Sequence, residues 1–132
     1  MRTIELQEIP LQPLKIPTGW NIVCNQFFDI EPGEDIYING LPDGDAWELF
    51  LQDMLLIHSN NKQLQLDLGW QPEADPSGKY ILTLIRNEDW SHPIATFESL
   101  SKNDIVDKIN LWLHVTLVND ISEIDLSYDA SS

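Results

Sequence analysis

Closely spaced carboxylates are the residues of this chain whose types and spacing could do chemistry. Two neighbouring carboxylates can share a divalent cation, or can serve as general acid and general base on one bond. Such pairs occur at Asp29/Glu31, Glu34/Asp35, Asp43/Asp45 and Glu88/Asp89. With 22 Asp and Glu residues in a chain of 132, pairs arise by chance, so a solvated acidic surface is the simpler interpretation. The sequence around Gly44 also lacks the ligand positions and terminal Glu of an EF-hand loop.

Histidine and cysteine offer no stronger pattern. His58, His92 and His114 are far apart in the sequence, and none has a second ligand-type residue at the spacing of a zinc motif. Cys24, the only cysteine, falls in a predicted strand and is interpreted as a buried structural residue. A glycine-rich phosphate loop and a Gly-x-Ser-x-Gly elbow are both absent. We therefore expect no enzymatic activity, no metal and no cofactor.

The charge of the chain predicts what it binds. Seven Lys and Arg against 22 Asp and Glu give a formal net charge of −15, which repels nucleic acid and anionic membranes and attracts basic proteins. A single cysteine forms no internal disulfide, and the sequence has neither a secretory h-region nor an apolar run long enough to span a bilayer. We expect a cytoplasmic protein with a basic protein partner and no direct contact with nucleic acid or membrane.

Acidic loops beside aromatic residues are the expected binding surface, because aromatic anchors with a charged rim are common at protein interfaces. Trp70 and Trp90 fall at predicted strand ends, although core or turn packing explains each of them as well. The residues expected to bind the partner are Asp29, Glu31, Glu34, Asp35, Glu73, Asp75, Glu88, Asp89, Trp70 and Trp90.

The first half of the chain predicts extended segments followed by a helix. Prolines interrupt residues 1–18, which indicates an arm or an edge strand. Alternation predicts a strand from Trp20 to Phe28, followed by an exposed loop that contains a possible short strand at 36–38. Asp45 and Glu48 form a capping box. A helix is expected to follow it, with one apolar face formed by Trp47, Phe50, Leu51, Met54 and Leu55.

The second half predicts a hairpin, a further strand and a second helix. Strands are expected at 64–70 and 80–85, joined by a type I turn at Asp75-Pro76-Ser77-Gly78, and a third strand at 94–97. A second helix begins after Ser101, and its buried stripe is formed by Ile105, Ile109, Trp112, Leu113 and Leu117.

These elements define the expected fold class. The chain is predicted to be one α+β domain over residues 1–132, with a mostly antiparallel sheet of four to five strands packed with two helices in the order β-β-α-β-β-β-α. Residues 120–132 are expected to form an acidic, flexible tail. The alternation of Ile124, Leu126 and Tyr128 leaves a further strand in this tail as an alternative.

One set of segments between Gly19 and Leu113 resembles a known family, the small acidic immunity proteins of bacterial contact-dependent growth inhibition systems. The segments that carry this resemblance are Gly19-Trp20-Asn21-Ile22-Val23, Asn25, Phe27-Phe28-Asp29-Ile30, Pro32, Phe50-Leu51-Gln52-Asp53-Met54-Leu55, Leu66-Asp67-Leu68-Gly69-Trp70-Gln71-Pro72, Asp75-Pro76, Gly78-Lys79-Tyr80, Asp89-Trp90 and Pro93.

The resemblance implies a cytoplasmic protein that neutralises a cognate toxin domain, commonly by covering its active site. Many such toxins are basic nucleases, so this implication agrees with the separate charge argument. Two alternatives stay open. An acidic adaptor or nucleic-acid mimic would bind DNA-binding proteins through one continuous acidic stripe, and a hydrolase would need Cys24, a histidine and a carboxylate in one pocket.

Overall fold

Seven strands and one α-helix form the framework of the described residues. A computed structural model describes residues 2–59 and 63–118. Within these ranges the elements are β1 (Arg2–Glu5), β2 (Trp20–Asn25), β3 (Ile36–Asn39), β4 (Leu55–Ser59), β5 (Leu64–Gln71), β6 (Lys79–Arg86), β7 (Ala95–Ser99) and α1 (Lys102–Val118), with short 3-10 turns at Leu6–Glu8 and Ala46–Leu49.

The main sheet has five antiparallel strands in the order β2-β4-β5-β6-β7. Alternate side chains of β5, at Leu64, Leu66 and Leu68, are buried, as expected for a strand with one face in the core. Between β5 and β6 the amide of Gly78 donates to the carbonyl of Asp75 at 2.9 Å. The α+β class, the mostly antiparallel sheet and this hairpin are confirmed.

Helix α1 covers one face of the sheet and contacts β6 and β7. The helix begins after Ser101 as predicted, and Ser101 caps its N-terminus, because the hydroxyl of Ser101 accepts from the amide of Asp104 at 3.2 Å. In the C-terminal half of the helix, the carbonyl of Leu113 accepts from the indole N–H of Trp20 at 2.9 Å, and this bond connects the start of β2 to α1. The buried stripe of the helix consists of Ile105, Ile109, Trp112 and Leu113.

The predicted first helix is wrong. Its capping box forms, since Asp45 accepts from the amide of Trp47 and Glu48 reaches back to the amide of Asp45, but only the 3-10 turn Ala46–Leu49 follows. After this turn the chain pairs with β5 instead. Leu51 accepts from the amide of Trp70 at 2.8 Å, and Met54 donates to Leu68 at 2.9 Å. These pairings lead the chain into β4.

The N-terminal arm contains a short strand, because β1 pairs in parallel with β3 in a small second sheet. Strand β3 matches the short strand expected within the acidic loop, whereas β2 ends at Asn25 and not at Phe28. The register of β2 against β4 shifts between Ile22 and Cys24. This bulge interrupts the alternation, so Cys24 is half-buried and not buried as predicted.

The described residues therefore contain one helix fewer and more strands than the predicted order β-β-α-β-β-β-α. The acidic tail at 120–132, the possible strand at 124–128 and the side chain of Leu117 lie outside the described residues. No helix in the described ranges is both long and apolar enough to cross a membrane.

Candidate functional site

A cluster of five aromatic rings lies at the end of the sheet where β5 turns into β6. Trp70 is its centre, with ring centroids 5.0 Å from Tyr80, 5.0 Å from Phe50 and 5.5 Å from Trp47. Phe27 completes the cluster, 6.1 Å from Tyr80. Trp70 is fully buried in this aromatic cluster, so it cannot lie on a binding surface as predicted. Three acidic loops pack around this aromatic cluster, and Trp70 supports them from below.

The first of these loops carries Asp29 and Glu31, which lie around a buried lysine. The side chain of Lys102, only 6% exposed, makes an ion pair with Asp29, lies 3.5 Å from the Glu31 carboxylate and donates to the amide oxygen of Gln12 at 2.7 Å. Glu31 also raises the pKa of the Tyr80 hydroxyl, although burial of that hydroxyl is the larger cause. Asp29 and Glu31 are therefore partly neutralised within the molecule.

The second loop surrounds the 3-10 turn at Ala46–Leu49. The carboxylate of Glu48 accepts from the amides of Asp43 and Asp45 at 2.9 and 3.2 Å. The carboxylate of Asp45 accepts from the amide of Trp47 at 3.0 Å. Asp45 and Glu48 thus hold the turn, while the Asp43 carboxylate has no ion pair or hydrogen bond within the described residues.

The third loop is the β5–β6 turn. The carboxylate of Glu73 accepts from the amide of Gln52 at 2.8 Å. The Asp75 carboxylate accepts from the amide and the hydroxyl of Ser77 at 2.8 and 2.7 Å. Both hydrogen bonds lower the pKa of Asp75, and the one from the amide has the larger effect. The indole of Trp70 donates to the Asp75 carbonyl at 2.8 Å, which fixes the turn to the aromatic cluster.

These loops meet at one end of the sheet, because each packs on the aromatic cluster or on the start of α1 beside it. We call this surface the acidic end. Its members are Asp29, Glu31, Glu34, Asp35, Asp43, Asp45, Glu48, Glu73 and Asp75. Among the cations at this end, Arg2 pairs with Glu34 at 2.7 Å, Lys79 pairs with Glu98 at 2.6 Å, and Lys102 is buried. The nine carboxylates therefore outnumber the cations there.

A groove of about 390 Å³ opens in the acidic end between residues 33–37 and 43–47. The partly exposed ring of Tyr37 and the half-buried ring of Trp47 line it, together with Asp35 and Asp43. Gly44, with a φ of +70°, allows Tyr37 to lie flat against it, since a Cβ at that position would lie 2.1 Å from the ring. Asp35, like Asp43, makes no ion pair with a described residue.

Glu88, Asp89 and Trp90 lie at the opposite end of the sheet, in the loop that follows β6. Strand β6 has eight residues, so the two ends are roughly 23 Å apart at about 3.3 Å per residue. Asp89 accepts from the amide of Ser91 at 3.2 Å and lies 3.3 Å from the ring of His92, while Trp90 is 51% exposed. The predicted binding residues thus separate into two surfaces.

Histidine and cysteine side chains do not form a site in the described residues. Cys24 lies on the edge strand β2, His58 on β4, His92 in the β6–β7 loop and His114 on α1. Within the described ranges, no three His, Cys, Asp or Glu side chains are placed to hold a metal ion.

The sequence interpretation does not include two site residues, Tyr37 and Trp47. It considers Asp43 and Asp45 only as a carboxylate pair that could hold a cation or act as general acid and base. The sequence does contain a pattern that indicates an exposed Tyr37. Ile36 and Ile38 lie on the buried face of a strand, so the residue between them points to the opposite, exposed face. Trp47 was assigned to the apolar face of a helix that does not form.

Comparisons of this chain with family models, with curated proteins and with solved structures give no match.

Proposed function

We propose that this protein acts by binding a basic protein through the acidic end. The observation that carries the proposal is the convergence of carboxylates from three separate loops over one aromatic cluster. Several of these carboxylates stabilise their own loops, but Asp35 and Asp43 face a groove and have no cation partner among the described residues. An uncompensated carboxylate pair of this kind favours a cationic ligand.

The partner that fits best is a cognate toxin domain, and the protein is then an immunity protein of the cytoplasm. The family resemblance supports this identity, and the net charge of −15 supports a partner that grips phosphate groups with Lys and Arg. The acidic end would cover the basic active-site surface of such a nuclease and exclude its substrate. No catalytic step and no cofactor are needed.

The groove supplies a specific contact within this surface. Two aromatic side chains, Tyr37 and Trp47, line it together with the carboxylates of Asp35 and Asp43. Aromatic rings and carboxylates both attract a cation. A guanidinium group of the toxin satisfies both at once, because it stacks on a ring and donates in its plane. The remaining acids steer the encounter and raise the association rate at low salt.

The test is co-expression with the C-terminal domain of the protein encoded immediately upstream, scored by cell survival and by co-purification. Binding is then compared between two matched double variants that each remove two charges. Asp35→Asn/Asp43→Asn alters the groove, and Glu88→Gln/Asp89→Asn alters the opposite end. We expect the groove variant to weaken the complex by about 10- to 100-fold and the control by less than about 3-fold.

Two results would contradict the proposal. Equal weakening by both variants would mean that net charge, and not the acidic end, determines binding. Absence of both rescue and complex would reject the toxin as partner, and capture of basic DNA-binding proteins would then favour the acidic adaptor.

A further inference from the structure

The two edges of the main sheet differ in how they are protected. Proteins usually guard an edge strand with charges, prolines or a covering segment, because its unpaired backbone groups can accept another strand. The edge strand β7 carries Glu98, whose carboxylate pairs with Lys79 at 2.6 Å. The other edge, β2, has no charged residue and no proline between Trp20 and Asn25.

The edge of β2 is also apolar and open. Ile22 and Val23 are 48% and 58% exposed. Within the described residues, β4 is the only strand that pairs with β2. The N-terminal arm bonds to the chain that follows β2, where the amide of Gln12 donates to the carbonyl of Phe27 and the amide of Asp29 donates to the carbonyl of Pro10. It also bonds to α1, where the amide of Lys15 donates to the side chain of Asn110. The described part of the chain therefore leaves a strand-length edge unpaired at Trp20–Asn25.

The charge of the molecule indicates what can occupy this edge. From Ile16 to Phe28 the sequence contains no charged residue, although the chain carries −15 overall. A basic partner finds no complementary charge here and finds it at the acidic end instead. A second copy of the chain, by contrast, meets its least repulsion at this uncharged strand, since its acids stay away from the contact.

We propose that two copies of this protein pair through β2, antiparallel and about a two-fold axis, so that the main sheet continues from one copy into the other. Such an interface is self-complementary, because each copy offers the same strand. Ile22 and Val23 of the two copies then shield one another from water. This inference is independent of the proposed toxin partner.

The same geometry predicts that the dimer is weak. Only Trp20–Asn25 is available, and the bulge at Val23 bends the strand and limits the regular ladder. A contact of this size lies at the small end of protein interfaces. Repulsion between two acidic copies opposes it, so added salt strengthens the dimer by screening. A complex between the acidic end and a basic partner shows the opposite salt dependence.

Sedimentation equilibrium of the protein over a range of concentrations tests the proposal. The wild type is expected to pass from monomer to dimer, and to do so at lower concentration when salt is added. Val23→Glu places like charges opposite each other across the axis and should raise the dissociation constant by at least about 10-fold. Thr96→Glu, on the other edge strand, adds the same charge and should leave dimerisation within about 2-fold of the wild type.

A second measurement keeps the proposal testable if Val23→Glu does not fold. Amide hydrogen exchange of the wild type should slow with rising protein concentration in β2 and remain unchanged in β7. The proposal is overturned if the wild type remains a 15.2 kDa monomer at every concentration and salt level. It is also overturned if Thr96→Glu weakens dimerisation as much as Val23→Glu does.

Discussion

Gly69 lies where the backbone of Gln52 crosses β5, and this contact leaves no room for a side chain. A Cβ at position 69 would lie 2.0 Å from the Gln52 carbonyl oxygen, which belongs to the backbone and cannot rotate away. The neighbouring pairings of Leu51 with Trp70 and of Met54 with Leu68 fix the crossing on both sides. We expect Gly69→Ala to lower the free energy of unfolding by about 2–4 kcal/mol.

Urea unfolding measures this loss, and Gly33→Ala is the control. Gly33 has a φ of +81° and open space around it, so the control carries conformational strain without a clash and should cost about 1 kcal/mol. Equal losses in the two variants would show that the crossing at Gln52 does not restrict position 69.

Asp67 lies in the middle of β5, opposite Leu56 on one side and Thr83 on the other. Burial of its carboxyl group, helped by the nearby charge of Asp53, raises the pKa from 3.8 to about 6. In the unfolded chain the group ionises at lower pH, so the folded state binds more protons between about pH 4 and 6. Stability is lost as the pH rises through this window, and the full penalty remains above it.

Asp67→Asn imitates the protonated carboxyl group and removes the penalty. Because Asp67 is only partly buried, we expect the variant to gain about 1–2 kcal/mol at pH 7 after allowing for screening. The gain should be about half as large at pH 5. Urea unfolding at these two pH values, both above the pI of about 4.1, measures it. A gain that is the same at both would contradict the raised pKa.

Individual carboxylates were predictable from sequence where their partners are local. The Asp45/Glu48 capping box and the Asp75 turn need residues only two or three positions away, and both form as expected. The ion pair between Asp29 and Lys102 joins positions 73 apart. No local pattern indicates such a contact, so the sequence could not show which acids are neutralised internally.

At the scale of elements, long-range pairing decides where local signals are ambiguous. Strands β5 and β6 and helix α1 follow their sequence periodicity. Residues 50–55 also have a helical apolar pattern, but hydrogen bonds to Leu68 and Trp70 lead them toward the sheet. When the apolar residues of a segment suit both a helix and a strand, pairing with a neighbouring strand decides which one forms. The local sequence does not show whether such a partner strand is present.

Lys102 connects three segments of the chain, so its substitution tests how strongly these segments depend on one another. Its ammonium group joins the N-terminal arm at Gln12, the acidic loop at Asp29 and the start of α1. Lys102→Met keeps the apolar stem but leaves the Asp29 and Glu31 carboxylates without their cation. We expect a loss of about 1–3 kcal/mol in the free energy of unfolding.

Lys79→Met is the matched control for this junction, because Lys79 also pairs with a glutamate but is half exposed. It should cost less than about 0.5 kcal/mol. A double-mutant cycle between Lys102→Met and Asp29→Asn should give a coupling of about 0.5–2 kcal/mol. Additive effects would show that the ion pair does not hold the arm and the loop together.

For the whole molecule, the acidic end could not be predicted as one surface. Its acids come from residues 29–35, 43–48 and 73–75. Long-range contacts bring these segments together, among them those of Trp47, Trp70 and Tyr80. The acids near positions 88 and 89 have the same composition and local pattern, yet they lie at the other end. The separation follows from the direction of β6, which is a property of the sheet.

A concentration of like charge at one end predicts how salt affects stability. The carboxylates of the acidic end repel one another more in the folded chain than in the expanded unfolded chain, and this repulsion is screened as the ionic strength rises. We expect the free energy of unfolding to increase by about 1 kcal/mol between roughly 0.02 and 0.3 M salt. Asp35→Asn/Asp43→Asn should reduce that increase more than Glu88→Gln/Asp89→Asn, which removes equal charge where acids are sparser. Urea titrations in NaCl and in KCl would separate screening from ion-specific effects, and equal reductions in the two variants would mean that the charge is not concentrated at the acidic end.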